Sequence, residues 1–367
     1  MTQSASKGFP TRILLTGGAG FIGSHVAEAL LARGAHLTIV DHLDPAHSRE
    51  SKRVNLQDVR RAADFAFHEA DVCDLDALRK TFEASNPQAV IHLAAKTGVR
   101  ASFVDSLAFG YVNVTGTFHV LELCREFRVE RIVLGSSSSV YGVSPVLFSE
   151  DLRDLRPISP YAVTKLEAES LARDFAHTYG LRILCLRLFS VYGPRQRPDA
   201  AIHNFSRALD SGEALTVFGD GSSQRDFTWV GDIAAGILAA LELHTGIESS
   251  ASNGSGSSNG GSISSEHSPS DFSSEPFEVL NLGSSHAVSI NELISLLEQT
   301  MGRRAQIRHV AAQPGDVPFS RADIAKARRL LGFQPRISLE EGLARFVDRR
   351  RSVPVRAGSA LARGFAV

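Results

Sequence analysis

Tyr161 and Lys165 stand four residues apart in Tyr161-Ala162-Val163-Thr164-Lys165, directly after Pro157-Ile158-Ser159-Pro160 breaks the chain and opens a long helical pattern over 161–179. Residues at this spacing lie on one helical face, so phenol and ammonium project side by side. An ammonium next to a phenol favours the phenolate and makes a usable base of a group that ordinarily titrates near ~10. Exposed Tyr/Lys pairs are common and inert, so this one gains meaning only from its surroundings. Upstream, Gly135-Ser136-Ser137-Ser138-Ser139-Val140-Tyr141-Gly142 follows an apolar run. Four serines can be a polar turn and nothing more. At the carboxyl end of a central strand, at least one of them can hydrogen-bond a substrate hydroxyl.

A second constellation lies near the start, in Arg12-Ile13-Leu14-Leu15-Thr16-Gly17-Gly18-Ala19-Gly20-Phe21-Ile22-Gly23-Ser24-His25. It reads as strand, tight turn and helix. Gly17 can take backbone angles closed to other residues, Gly20 lets the main chain approach a pyrophosphate, and Gly23 lets the helix lie close on the strand. The helix over 21–32 offers free N–H groups and a positive dipole end to phosphates. A glycine triplet alone is weak evidence. Here a second strand, 36–40, closes on Asp41. That carboxylate can accept both ribose hydroxyls of NAD and repel the additional phosphate of NADP.

These residues need a scaffold, and the rest of the chain describes one. Strand-like runs recur at 65–70, 89–94, 130–134 and 181–186, separated by helical patterns, with a seventh at 277–283. Alternating strands and helices imply an α/β fold with a doubly wound parallel sheet covered on both faces. In such sheets ligands bind beyond the carboxyl ends of the strands. After the third strand come Asp71 and Val72, suited to an adenine, although helix capping by Asp71 or Asp74 is the plainer reading. Beyond the fourth, Leu93-Ala94-Ala95-Lys96 lets a cofactor lie on the backbone and Thr97-Gly98-Val99-Arg100 follows. His92, inside the strand, reads as a packed core histidine.

Past the sixth strand, Phe189-Ser190-Val191-Tyr192-Gly193-Pro194-Arg195-Gln196-Arg197-Pro198-Asp199 carries two arginines suited to an anionic ligand, with a solvated basic loop as the plain alternative. Phe218-Gly219-Asp220-Gly221 reads as a hairpin turn, and Arg225 is a further inward-pointing candidate before a helix over 232–243. The segment 247–276 is rich in Ser, Gly and Asn and reads as a disordered insertion; 290–301 and 338–351 read as helices, 313–318 as a turn and 351–367 as a loose tail.

With 367 residues, 43% of them hydrophobic, the chain can bury a large core and form two domains. A formal net charge of -1 provides no electrostatic case for nucleic acid. No apolar run approaches the ~20 residues that span a bilayer, and the polar 1–10 lacks the apolar centre of an export signal. Cys73, Cys124 and Cys185, odd in number and far apart, fit neither a disulfide framework nor a metal site, which points to a cytoplasmic protein.

GGAGFIGSH, Asp41, HLAAKTGVR, SSSSVYG, YAVTK, RLFSVYGP and QRDFTWVGDI, in this order, resemble the extended short-chain dehydrogenase/reductase family, from about Arg12 to Phe346. Within it the chain is most similar to the nucleotide-sugar 4-epimerases. The resemblance implies a Rossmann-type domain over 1–188, continued by 229–245 and 277–283, and a smaller C-terminal UDP-sugar domain over 189–228 and 284–350. It implies NAD held by Gly17, Gly20, Phe21, Ile22, Gly23, Asp41, Asp71, Val72, Leu93, Ala94, Ala95, Lys96, Asn113, Tyr161 and Lys165. It also implies a homodimer through a four-helix contact from the helices at 102–127 and 161–179.

Family members that dehydrate or decarboxylate the sugar carry acidic residues where this chain has Ser138 and Ser139. Chemistry at C4 needs only Tyr161, Lys165, a serine and NAD; alignment with the family makes that serine Ser137, with Ser138 also in reach of the substrate. GVR, FSVYGPRQRPD and QPGDVP look like the UDP-glucuronate 4-epimerases: Ser190 leaves room for a C6 carboxylate, and Arg197 or Arg195 can pair with it. On the same resemblance Arg225 serves the phosphates, Val217 and Phe218 the uracil and Asp316 the ribose, with Arg100 also at the substrate. The expected reaction is UDP-glucuronate to UDP-galacturonate through a transient 4-keto sugar. The alternatives are an epimerase for UDP-glucose, UDP-N-acetylglucosamine or UDP-xylose, and an NAD-binding sensor or scaffold without turnover.

Overall fold

Short runs of Ile, Val and Leu with hardly a polar residue among them can be buried on both faces only in a parallel sheet, and that is where they lie. The computed structural model describes residues 9–44, 48–129, 131–144, 146–243 and 275–352. The chain alternates β1 (Arg12–Thr16), α1 (Phe21–Ala32), β2 (His36–Val40), α2 (Arg49–Arg60), β3 (Ala66–His68), α3 (Leu75–Ser85) and β4 (Ala89–His92). Next come α4 (Val99–Val104), α5 (Ser106–Gly110), a π-helical turn (Tyr111–Thr115), α6 (Gly116–Glu126), β5 (Arg131–Ser137), α7 (Pro160–Tyr179) and β6 (Arg182–Leu188). Then follow β7 (Val191–Tyr192), α8 (Ala201–Ser211), β8 (Leu215–Phe218), β9 (Gln224–Asp226), β10 (Thr228–Trp229) and α9 (Val230–Leu243). After the insertion come β11 (Phe277–Leu282), β12 (Ala287–Ser289), α10 (Ile290–Met301), β13 (Ile307–Val310), α11 (Ala325–Leu331) and α12 (Leu339–Ser352).

Seven strands form one sheet in the order β11-β6-β5-β4-β1-β2-β3, every pair parallel. The order reverses between β1 and β4, so the carboxyl ends of those strands border the crevice where such sheets take ligands. Alternation along the strands sends Leu15, Ile39, Ile91 and Leu186 to one face, against α1 and α9, and Leu14, Val40, Val90 and Cys185 to the other, against α3, α6 and α7. A third core, including Leu209, Val217, Leu297 and Phe346, joins α8, β8, α10 and α12.

The expected doubly wound parallel sheet is the observed one, and α1, β2 and α10 have the expected bounds. Beyond shifts of a few residues at other strand and helix ends, four details differ. β5 runs on through Ser137 instead of stopping at 134, because Ser136 and Ser137 pair with Arg187 and Leu188 of β6. The segment 102–127 is broken: the Asp105 side chain caps α5, accepting from Ala108 N, and a π turn precedes α6. The turn after Phe218 closes no hairpin, since β8 pairs in parallel with β13 and β9 with β12. Residues 351 and 352 still belong to α12; the tail beyond them, and the insertion as far as 274, fall outside the described residues. No helix among the described residues is long and apolar enough to cross a membrane.

Candidate active site

The turn after β1 is shaped by its glycines. Gly17 has φ +74°, and a Cβ there would come within 2.6 Å of Ala94 N, so the ends of β1 and β4 meet without a side chain between them. A Cβ on Gly23 would lie 2.2 Å from Gly17 O, which fixes how closely α1 approaches the turn. Gly20 is the N-cap of α1 and supplies no capping side chain, and the first turn holds no acidic residue. The N–H groups at that helix end, and its dipole, are therefore directed at whatever lies over the turn. By contrast α3, α7 and α10 are capped by Asp74, Ser159 and Ser289.

Asp41 follows β2, buried at 5% exposure, its carboxylate receiving Ala19 N at 3.1 Å and Leu43 N at 2.9 Å. The Lys52 ammonium, 2.8 Å away, is an ion-pair partner that the sequence reading missed. Asp74, not Asp71, caps α3, and Asp71 receives Cys73 N at 2.9 Å. Val72 is buried beneath Gly116. Leu93, Ala94, Ala95 and Lys96 lie half-buried along the crevice. Asn113 accepts from Lys96 N at 2.8 Å and donates to Lys96 O and Thr164 Oγ1, both at 3.0 Å. Both of its N–H donors are thus engaged, and Asn113 acts as the support of this loop. His92 is the expected core histidine: its Nδ1 is 2.6 Å from Thr16 Oγ1 and its Nε2 3.1 Å from Thr117 Oγ1. Thr117 Oγ1 donates to Asn113 O, so it accepts from His92 Nε2–H, which leaves Nδ1 as an acceptor.

Ser159 caps α7 by accepting from Ala162 N, and Pro160 occupies the first turn. That start carries Tyr161 and Lys165 to the carboxyl ends of β5 and β6. Tyr161 lies beside Ser137, whose Oγ accepts from Ser139 N at 3.2 Å and from Ser139 Oγ at 2.9 Å, and the Phe109 ring packs edge-on against Tyr161 at 6.1 Å. Burial holds the phenol above its ordinary pKa, opposed by the Ser137 hydrogen bond and by the Arg197 charge. Lys165 lies near Cys185 and Glu169, and its charge reaches His92. Desolvation lowers its pKa to about 8, and the ammonium has no hydrogen-bond acceptor among the described residues. Glu169 is a second residue the sequence reading missed. Its signal was its place at i+4 from Lys165 on the buried side of α7.

Arg197 lies beside this group. Its Nη1 donates to Thr97 O at 2.8 Å and to Thr97 Oγ1 at 2.5 Å, and its Nε lies 3.2 Å from Asp199. Ser138 and Ser190 are half-buried. Arg195 is a correction: with φ +66° it turns away and pairs with Glu28 of α1, Ser24 Oγ and Asp58, tying its loop to the sheet domain. Farther out, the Arg100 guanidinium stacks on the Phe218 ring at 3.8 Å and lies 3.6 Å from Asp316, with Arg225 facing both charges. Val217 departs from its expected place: its side chain is 1% exposed in the third core, because β8 turns alternate residues inward.

The glycine turn, the uncapped end of α1, buried Asp41 and the unpartnered Lys165 ammonium together fit a dinucleotide. The Tyr161–Ser137 pair can move a proton at a hydroxyl, and the outer cluster of cations suits an anionic ligand.

Comparison with known proteins agrees with this geometry. The family model described as "NAD dependent epimerase/dehydratase family" matches residues 13–251. The chain is 38% identical over 336 residues to the UDP-glucuronate 4-epimerase of Thermodesulfobacterium geofontis, covering 91% of this chain and 94% of the relative. Among solved structures it is similar to the Bacillus cereus UDP-glucuronic acid 4-epimerase in complex with UDP-glucuronic acid and NAD. That match has a TM-score of 0.80 and 35% identity, over 92% of this chain and 98% of that one. It is also similar to the UDP-glucose 4-epimerase of Thermotoga maritima with UDP-glucose, with a TM-score of 0.77 and 30% identity over 92% and 98% of the two chains.

Proposed function

The chain belongs to the NAD dependent epimerase/dehydratase family, and from this membership together with the site we propose that it inverts C4 of a UDP-sugar through a transient 4-keto intermediate. The substrate is UDP-glucuronate and the product UDP-galacturonate. The observation that carries this reading is the Tyr161–Ser137 hydroxyl pair with the Arg197 cation beside it and no carboxylate at positions 138 and 139.

The Gly17–Gly23 loop, Asp41, Lys96, Tyr161 and Lys165 would hold NAD, which would supply hydride transfer to and from sugar C4. Tyr161 takes the proton from the C4 hydroxyl during oxidation and returns it on reduction, with Ser137 orienting the oxygen. Both faces of the sugar must be presented in turn, so the nucleotide end is held while the ring swings. Arg225 and Arg100 hold the phosphates, Phe218 flanks the base and Asp316 meets the ribose. Serines at 138 and 139 provide no acid or base for chemistry beyond C4. A 4-keto uronic acid is a β-keto acid, which loses CO2 when its C–COO bond aligns with the carbonyl π system. Ser190 and Arg197 bind the carboxylate and hold that bond out of alignment.

A homodimer through α4–α6 and α7 is part of the proposal. It is supported by a run of exposed apolar side chains there, Val104 at 81%, Leu107 at 87% and Tyr111 at 56%, with Phe118 and Val163 alongside. The cytoplasm is the expected setting, consistent with Cys73, Cys124 and Cys185 as separate buried free thiols. The test is to incubate the purified protein with UDP-glucuronate, and separately with UDP-glucose, without added cofactor, and to identify the sugar nucleotides formed. UDP-galacturonate as the faster product supports the proposal. Preference for UDP-glucose transfers the reading to the neutral-sugar epimerases, and no turnover of either leaves a dinucleotide-binding protein without this activity.

A further inference from the structure

Lys165 has a neighbour that the reaction as derived does not use. Glu169, one turn farther along α7, is 1% exposed and points into the sheet. Its carboxylate receives three hydrogen bonds: Ser136 Oγ at 2.5 Å, Arg187 Nε at 3.0 Å and Arg187 Nη2 at 2.7 Å. Ser136 and Arg187 face each other across β5 and β6 in strand register. One carboxylate therefore pins the helix that carries Tyr161 and Lys165 to both central strands, one residue before Ser137. A buried ion pair is a poor source of stability, since apolar residues of similar volume commonly serve as well or better. Its placement one turn beyond Lys165 and against Ser136, the residue before Ser137, points to geometry instead.

We propose that Glu169, clamped by Ser136 and Arg187, is a positioning residue that keeps Tyr161 and Lys165 in register with Ser137. This deepens the epimerase reading and rests on it. The Arg187 guanidinium also lies 4.7 Å from the Tyr141 ring, and the Tyr141 hydroxyl donates to Asn281 Oδ1 at 2.8 Å, so the clamp is braced from β11. The Lys165 ammonium faces Glu169 on its own helix, Cys185 on β6 and His92 on β4; Glu169 carries the negative charge that sustains its protonation.

The test is the double variant Glu169→Met/Arg187→Met, which removes the ion pair as a neutral unit, alongside Ser136→Ala, which removes one bond of the clamp and no charge. Both are compared with wild type in urea unfolding, in kcat and KM across pH on whichever of UDP-glucuronate and UDP-glucose reacts faster, and in Tyr161 ionisation. The last is followed by ultraviolet absorbance against Tyr161→Phe and needs no substrate. The expected result is wild-type stability with kcat reduced at least about tenfold and KM nearly unchanged, the signature of a lost transition-state alignment. The alkaline limb of the double variant moves to lower pH, and Tyr161 titrates higher in both variants as its Ser137 hydrogen bond loosens. A kcat that falls only with the folded fraction, or unchanged kcat and Tyr161 titration, overturns the proposal. Should wild type turn over neither sugar, the epimerase reading fails by itself. The Tyr161 titration then decides positioning alone, a shift supporting it and no shift refuting it. If the double variant does not fold, Ser136→Ala carries the same decision.

Discussion

Arg197 separates an acid sugar from its alcohol, and the size of the effect can be worked from its contacts. The guanidinium has five N–H groups. Those of Nη1 go to Thr97 O and Oγ1, and Nε faces Asp199, which leaves the two of Nη2 for a ligand carboxylate. One hydrogen bond to a charged partner contributes about 1.5 to 3 kcal/mol, or roughly 10- to 150-fold in a binding or rate constant. Arg197→Met keeps the stem and removes the fork and the charge. The expected outcome is a fall of that size in kcat/KM for UDP-glucuronate relative to UDP-glucose, measured on the same preparation. Arg197 also lowers the Tyr161 pKa, so the variant slows both sugars below its pH optimum, but that loss is common to the two and cancels in the ratio. Arg197→Lys, which retains charge without the planar fork, falls between. Loss of CO2 from the 4-keto acid should rise in Arg197→Met, seen as a UDP-pentose product. An equal fall on both sugars, which leaves the ratio unchanged, refutes the assignment and places the carboxylate elsewhere.

Three further outcomes follow from named groups. Desolvation brings Lys165 to about 8, so kcat should decline above that pH as the ammonium is lost, and a profile flat to pH 10, measured by product formation at saturating substrate, would contradict it. His92 is held neutral with its pKa lowered from 6.5 to about 3 by burial and by Lys165. In that window the unfolded chain binds the proton that the folded chain refuses, so stability falls as pH falls, by about 1.4 kcal/mol per unit at most. Urea unfolding of His92→Gln between pH 7 and 4 should show a shallower dependence, and an unaltered slope would remove His92 from acid unfolding. Val104→Asp/Leu107→Asp should yield monomers in sedimentation while leaving the far-ultraviolet spectrum intact; a variant that still sediments as wild type rules out that surface as the contact.

The parts of the site that could be read in the sequence are those that demand unusual residue types. Gly17 needs a positive φ, Gly23 a missing side chain, and Tyr161 with Lys165 a spacing that only a helix makes meaningful. The limits of α10 were legible in its amphipathic pattern, and the structure adds the complete capping box of Ser289 and Glu292 that opens it. The end of β5 was illegible because Gly135, Ser136 and Ser137 have turn composition. They are strand only through the ladder to β6, a partner about fifty residues on, and such tertiary pairing overrides local preference. The same holds for charge. Arg187 sits inside an apolar run and Glu169 inside an ordinary helical pattern, and neither declares its partner until the helix is laid across the strands. Lys165 shares a helical face with Tyr161, and its further neighbours Cys185, Glu169 and His92 are not revealed by that spacing. Residues that touch a ligand are constrained by the ligand's chemistry and carry it in their type. Those that hold them in place use common ions and hydroxyls, and only the fold reveals which of them meet.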